Sequence, residues 1–478
     1  MVTGGRPLNG SVKIPAAKNS VLPLFAASLL CTGEVRLQAV PRLADVEHCM
    51  ALLRGVGCAA RWEGSDAVLS GPPANSTLPG QTAGQMRASI LFCAPLLARL
   101  GRAETSLPGG CRIGARPIDL HLAGLAKMGA VELEAGEGRL VLTAPSGLHG
   151  AEITLRFPSV GATETLLLAA ACARGRTILR GAAREPEIAD LAAFLNRCGG
   201  CIEGAGSSTI RIEGRRGLSG CCFSPLPDRI FASTLACGCA AAGGRVELTG
   251  CAPALYAPVL EILGQMGCRV EPAGDTVRIS RFGRLHGAGR VFTGAYPALA
   301  TDAAPLLAAA MLCADSESSI EDVIFERRFG CAEGFCRLGA QAETAGRVLT
   351  IAPGGHLCGT VVEAPDLRGG AALVLAGLAA RGTTVITHPT HIDRGYAGFT
   401  EILAGLGAQI RRESAPGNGS AKKTSAKNKF VLQSGQKDDT IQLYKYSIEL
   451  FLCEKRRFTI TYPMEDKSYG THARRRNG

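Results

Sequence analysis

The residues best suited to chemistry lie in one loop, Pro108-Gly109-Gly110-Cys111-Arg112-Ile113-Gly114-Ala115-Arg116. A thiol stands there between two guanidinium groups. Nearby positive charge favours the thiolate, and the same arginines are suited to holding a phosphate. Gly109, Gly110 and Gly114 permit positive φ and an exposed loop. These surroundings separate Cys111 from the other cysteines of the chain, because a free Cys is usually a buried, inert small hydrophobe.

A second set of polar residues recurs where Ala/Leu-rich helices are expected to begin. It comprises Lys18-Asn19, Arg87, Thr163 with Glu164, Asp228-Arg229, Thr301-Asp302, and Asp366 with Arg368. A helix N-terminus presents unpaired N–H groups and partial positive charge. Added Lys and Arg would make converging helix starts a site for phosphate or pyrophosphate. Asp and Asn at such positions are also ordinary N-caps, but cations there oppose the macrodipole and point to function. His121 reads as structural. Asp45-Val46-Glu47-His48 and His388–Asp393 lack metal-ligand spacing and read as caps or solvated faces.

These groups are carried by a sixfold repeat. A helix ending in an apolar-Gly-small phrase recurs roughly every 70 residues, around Gly57, Gly129, Gly199, Gly267, Gly339 and Gly407, so each repeat is an α/β unit of its own. The Gly suits the left-handed position past a helix end. Each repeat holds a second helix, apolar nearly all round and therefore expected inside a ring of sheet. The N-terminal residues up to about Ala17 are expected to complete the sixth repeat. That predicts a domain of residues 18–226, carrying the cysteine loop, and a discontinuous domain of residues 1–17 and 227–413. In this alignment Cys198, first of a C-x-x-C sequence, occupies a helix-end hydrophobic position, which favours burial over redox or metal chemistry.

The composition agrees with two globular domains. The chain has 478 residues, 46% hydrophobic and 19% charged. The formal charge is +11, but residues 414–478 hold thirteen Lys/Arg against six Asp/Glu, so the remainder is only mildly basic and gives no case for nucleic-acid binding. Nineteen scattered cysteines do not form a secreted disulfide framework. No signal-like start or membrane-length apolar run occurs, so a cytoplasmic location is expected. Phosphate-loop, zinc-peptidase and dinucleotide fingerprints are all missing.

Between about Gly4 and Arg412 the chain resembles the UDP-N-acetylglucosamine 1-carboxyvinyltransferases of the enolpyruvyl transferase family. The resemblance is carried by Ala17-Lys18-Asn19, Pro41–Val46, Met86–Ser89, Leu107–Leu122, Ser159–Thr163, Ala183–Ile188, Leu226–Ile230 and His391–Tyr396. It implies two inside-out α/β domains of three βαβαββ-like repeats each. It implies transfer of the enolpyruvyl group of phosphoenolpyruvate to the 3-hydroxyl of UDP-N-acetylglucosamine, with release of phosphate, at the first committed step of peptidoglycan synthesis. No metal or organic cofactor is implied.

By the same resemblance Cys111 is the catalytic cysteine, a proton donor and covalent partner of phosphoenolpyruvate, and a target of the epoxide fosfomycin. Asp302 matches the base near the sugar hydroxyl. Lys18, Arg116 and Arg394 match cations around phosphoenolpyruvate, and Arg368 adds to the positive cleft. Arg87 matches a nucleotide-side contact and Asn19 a sugar contact. Arg116, Pro117, Ile118, Asp119, Ser159, Val160, Gly161 and Ile324 match the nucleotide-sugar contact regions.

The chain departs from the family pattern at Phe157, at Ala303-Ala304-Pro305-Leu306, at Phe231, and at Arg327 and Gly330. Residues 414–478 lie beyond the usual end of the family. They read as a basic tail, either an added partner-binding module or a foreign, largely disordered extension. Two other functions stay open: a weakly active paralogue that binds sugar nucleotides as a regulator, and the shikimate-pathway transferase.

Overall fold

Six small sheets form the outer walls of the computed structural model, which describes residues 1–107, 109, 113–114, 117–136 and 138–413. Cys111, Arg112, Arg116 and the tail 414–478 lie outside the described residues. In five sheets one arrangement repeats. The strand following the inner helix pairs in parallel with a short edge strand on one side, and antiparallel with a hairpin or its equivalent on the other. Arg176–Arg180 is typical: Glu152–Thr154 lies parallel to it, and Thr209–Glu213 then Ile202–Glu203 follow antiparallel. In the second repeat the parallel edge shrinks to one bridge, Thr77 to Glu104.

The alternation of strand side chains explains the layering. In Thr209–Glu213, Ile210 and Ile212 are buried and Arg211 is exposed, as period-two geometry requires when only one sheet face meets the core. Inside lie the Ala/Leu helices. Those at Lys18–Ser28, Val160–Ala171, Arg229–Ala242 and Leu367–Ala379 are buried on almost every side, as helices enclosed by sheet must be. Their small side chains let the helices approach closely, as where Gly238 meets Leu375.

The outer helices end as their sequences predict. Gly57, Gly129, Gly199, Gly267, Gly339 and Gly407 all follow a helix end with φ of 92–103°.

Two hydrophobic cores result. One gathers residues from Val21 to Leu218. The other joins Ile230–Ala408 side chains to Val2, Leu8 and Ile14. The N-terminal strands divide between two sheets. Of the residues up to Ala17 expected to complete the sixth repeat, only Val2–Thr3 enters its sheet, between Thr383–Thr387 and Gln409–Ile410; Leu8–Lys13 is instead the parallel edge of the fourth. Cys222–Phe223 does the same for the first repeat, beside Val35–Leu37. No helix among the described residues is long and apolar enough to cross a membrane.

Candidate active site

The recurrent polar residues do stand at inner-helix starts. Lys18 opens Lys18–Ser28, Arg87 opens the 3-10 turn Arg87–Phe92, and Asp302 lies in the turn Thr301–Ala303 that leads into Ala304–Met311. Three starts are capped by side chains. Ser159 accepts from the Ala162 amide, Asp228 from Ile230 and Phe231, and Asp366 from Arg368 and Gly369. The starts at Lys18 and Arg87 lack such a cap, and each carries a cation instead.

Around Asp302 two guanidinium groups converge. Arg368 donates from Nε and Nη2 to Oδ2 at 3.1 and 3.0 Å, and Arg328 donates from Nη2 to Oδ1 at 2.8 Å. Burial alone would raise the Asp302 carboxyl. Arg368, Arg328 and Lys18 outweigh it and hold the group far below the usual carboxylate range. Arg368 is itself buried, with its guanidinium 5.1 Å from the Tyr396 ring centre, and its Nη1 has no hydrogen-bond partner among the described residues. A buried donor of this kind is suited to an anion.

The second cluster surrounds a residue whose role the sequence did not reveal. Asp45, expected as a cap or part of a solvated face, is neither: its helix Ala44–Gly55 has no side-chain cap, and the carboxylate is buried. Lys18 Nζ lies 2.7 Å from its Oδ2, and Arg394 donates to both oxygens at 2.9 and 3.3 Å. Burial raises this carboxyl too, but Lys18 and Arg394 leave it below its ordinary value. Arg394 also reaches the Gln85 carbonyl at 3.5 Å. Arg328 and Glu187 are further groups that went unassigned; Glu187 pairs at 3.0 Å with the buried Arg229, which was read as one of the cations at the helix starts. Their signal was present: Asp45 and Glu187 sit in two of the segments that carry the family resemblance.

The expected nucleotide-sugar residues line a different stretch. Arg87 donates to the Pro117 carbonyl at 3.0 Å. Ile118 and Asp119 begin the helix Asp119–Lys127, and Asp119 pairs with Arg156, which lowers its carboxyl. Ser159, Val160 and Gly161 form the start of Val160–Ala171, and His121 lies beneath it. A Cβ on Gly161 would sit 3.1 Å from that imidazole, whose Nδ1 is 2.8 Å from the Thr165 hydroxyl. Glu164 points inward; burial, then Glu187 and Glu185, push its carboxyl well up. Asn19 is exposed beside buried Lys18. The Ile324 amide is held by Asp322 at 2.9 Å.

Cys111 and Arg116 fall outside the described residues, but their loop is bracketed. Gly109 approaches Gly84 so closely that a Cβ would lie 1.9 Å from the Gly84 carbonyl oxygen. Beyond the cysteine, the Ile113 carbonyl accepts from the Arg327 amide at 3.0 Å. Gly114 leaves no room for a side chain against Glu326, whose Oε2 would be 2.3 Å from a Cβ. Gly84 and Glu326-Arg327 belong to opposite halves of the fold, so the loop touches both.

The departures from the family pattern are mostly packing residues. Ala303, Ala304, Pro305 and Leu306 are buried behind Asp302 and leave its partners in place. Phe231 stacks on Tyr396 and Phe399 at 5.4 and 6.1 Å, supporting the ring under Arg368. Cys198 is buried at a helix end, with its Sγ 3.3 Å from Cys221 rather than bonded to Cys201. No His, Cys, Asp or Glu cluster among the described residues is arranged to hold a metal.

Known proteins resemble the chain in sequence and fold. The profile of EPSP synthase (3-phosphoshikimate 1-carboxyvinyltransferase) matches residues 2–403. A UDP-N-acetylglucosamine 1-carboxyvinyltransferase of Solidesulfovibrio magneticus is 44% identical over 417 residues, covering 86% of this chain and 99% of its own. One from Finegoldia magna is 43% identical over 409 residues, covering 85% and 96%. Among solved structures, the enolpyruvyl transferase NikO from Streptomyces tendae superposes with a TM-score of 0.77 at 26% identity, over 87% of this chain and 98% of NikO. The chain therefore belongs to the enolpyruvyl (1-carboxyvinyl) transferase family, together with the UDP-N-acetylglucosamine 1-carboxyvinyltransferases.

Proposed function

We propose that this protein transfers the enolpyruvyl group of phosphoenolpyruvate to the 3-hydroxyl of UDP-N-acetylglucosamine, releasing phosphate. The observation that carries the reading is the Asp302 centre: an ionised carboxylate between two buried guanidinium groups at the start of an inner helix. Relatives named for this reaction, 42–44% identical over most of the chain, supply the substrate pair. This is the entry step of peptidoglycan synthesis, and a cytoplasmic location goes with the reading.

Phosphoenolpyruvate brings a carboxylate and a phosphate. Lys18, Arg394 and Arg116 are the cations assigned to it, with Arg368 beside them. Fixed cations act most strongly where charge develops in a water-excluded cleft. Asp302 is the base for the sugar hydroxyl. Held by two cations it is a weak one, so substrate must loosen it. An incoming phosphate that takes up Arg368 withdraws part of the neutralising charge and raises the basicity of Asp302 as the reaction needs it. Cys111 supplies the proton to the methylene carbon as the sugar oxygen, deprotonated by Asp302, bonds to C2; elimination then removes a proton from the new methyl group, breaks the C2–O bond to phosphate and restores the double bond, expelling phosphate. Asn19 and Arg87 contact the sugar and nucleotide sides. Pro117, Ile118, Asp119, Ser159, Val160, Gly161 and Ile324 bind the nucleotide sugar.

Residues 18–226 act as one domain, and residues 1–17 with 227–413 as the other. The two separate hydrophobic cores support this division. Domain closure would then complete the site around the cysteine loop.

Phosphate release from phosphoenolpyruvate, measured with and without UDP-N-acetylglucosamine, tests the reading. Release should depend on the sugar nucleotide and fall about 10²–10⁴-fold in Cys111→Ser. Cys111→Asp, which keeps an acid, should retain turnover but resist fosfomycin. A wild-type protein that binds both ligands without releasing phosphate would overturn the enzyme reading in favour of a binding regulator. Release with shikimate 3-phosphate instead would move the protein to the other branch.

A further inference from the structure

We propose that Asp322 is a positioning residue that ties the Asp302 centre to the turn on which the cysteine loop docks. The reaction it serves is the one proposed above, and the inference rests on that reading for its effect on turnover.

Asp322 is fully buried, at 0% exposure. One carboxylate oxygen accepts the Thr301 hydroxyl at 2.5 Å, next to Asp302. The other accepts the backbone amides of Ile324 and Phe325 at 2.9 and 2.7 Å. Those two bonds set the turn that follows, and the turn has three outputs. It places Ile324. It directs the Arg327 amide at the Ile113 carbonyl, 3.0 Å away. It returns Arg328, whose Nε donates to the Thr301 carbonyl at 2.8 Å and whose Nη2 donates to Asp302 at 2.8 Å.

The result is a closed ring. It runs from Asp322 through the Thr301 hydroxyl, along the chain to Asp302, across to Arg328, and back along the turn to Asp322. Arg347 braces the outside, donating to the Val323 carbonyl at 3.0 Å and to Glu326 at 2.8 Å. Nothing else in the ring ties the two turn amides to Thr301. Removing the carboxylate leaves two partly buried amides without their acceptor, so the turn shifts to satisfy them. Arg328 and the loop contact move with it. Asn keeps one oxygen for both amides and offers an N–H to the Thr301 oxygen, so it should hold the ring together.

The test uses the full-length chain with Asp322→Ala, Asp322→Asn and Thr301→Val, reading phosphate-release kinetics and hydrogen exchange at the Arg327 amide. A displacement of about 1 Å remote from the chemistry can cost about 100-fold, so Asp322→Ala should lower kcat about 10–100-fold with KM for phosphoenolpyruvate changed about threefold or less. Arg327, which does not touch Asp322, should exchange about tenfold faster or more. Asp322→Asn should stay within about threefold of wild type on both readouts.

Should Asp322→Ala fail to fold, Thr301→Val removes only one bond of the ring and is expected to lower kcat about 3–10-fold. A purely structural role predicts lower stability with kcat and Arg327 exchange unchanged, and that result overturns the proposal. A wild type without turnover would defeat the functional reading, and Arg327 exchange alone would then decide the positioning role.

Discussion

Asp45 and Asp302 are built alike and differ in use. Each carboxylate stands between two cations, and each is held below its ordinary pKa against the opposing effect of burial. The Asp45 side chain is only 4% exposed, and its cations come from distant parts of the chain, Lys18 and Arg394. The Asp302 side chain is 27% exposed, and both of its arginines belong to the same half of the fold. The buried Asp45 carboxylate holds Lys18 and Arg394 in place, so they meet an arriving anion with that counter-charge still bound to them. A partly open carboxylate can give up a guanidinium to an arriving anion. One set of interactions therefore serves as a clasp in one place and as adjustable chemistry in the other, and exposure decides which.

The comparison breaks first at Asp302. Asp302→Asn keeps the shape and removes the base, and phosphate release should fall about 10²–10⁴-fold. Urea unfolding should shift as well, because the buried Arg328 and Arg368 lose their counter-charge; retained turnover would mean that this carboxylate is not the base. The clasp should show itself in stability. Asp45→Ala leaves Lys18 and Arg394 facing each other without their counter-charge, and removing one member of a buried pair costs about 3–5 kcal/mol. Urea unfolding at neutral pH measures it, and a change below about 1 kcal/mol would reduce Asp45 to a surface-like pair.

Acid titration sharpens the contrast. A carboxyl with a lowered folded pKa binds fewer protons when folded, so its stabilisation is complete above its unfolded pKa of about 3.9 and fades as pH falls through the folded value. The stability gap between wild type and Asp45→Asn should accordingly shrink below about pH 4. A gap that stays constant down to acid unfolding would mean Asp45 is not held ionised by its partners. The smallest effect belongs to neither centre: Ser159→Ala removes one N-cap and should cost about 1 kcal/mol in the same unfolding assay.

The fold was legible because its determinants are local. Six glycines at helix ends and six apolar helices recur at a fixed period, and each marks its own unit in the local sequence. Asp302, Arg368 and Arg394 were legible through motif and position. Asp45 was not, because its meaning depends on a partner 349 residues away. Asp322 was hidden for a related reason. Two of its bonds lie within a short turn and the third reaches Thr301, 21 residues earlier, so an acid two residues before an Ile in a polar stretch resembles any solvated Asp until the turn is folded around it. The departures misled in the other direction. Phe231 and the residues after Asp302 looked like damage to a site, yet they pack behind it.

The divided N-terminal strands bear on how the chain is made. Val2 must pair with Thr384 and Ile410, and Leu8 is buried in the second core. A ribosome adding about 5–20 residues per second needs roughly 20–80 s to make the intervening chain. During that interval the first core has every side chain it requires, while the opening strands wait without a sheet. These strands thus emerge long before the partners that place them. Whatever shields Val2 and Leu8 in the nascent chain, whether a chaperone or rapid completion of the first core beside them, sets the yield of folded protein.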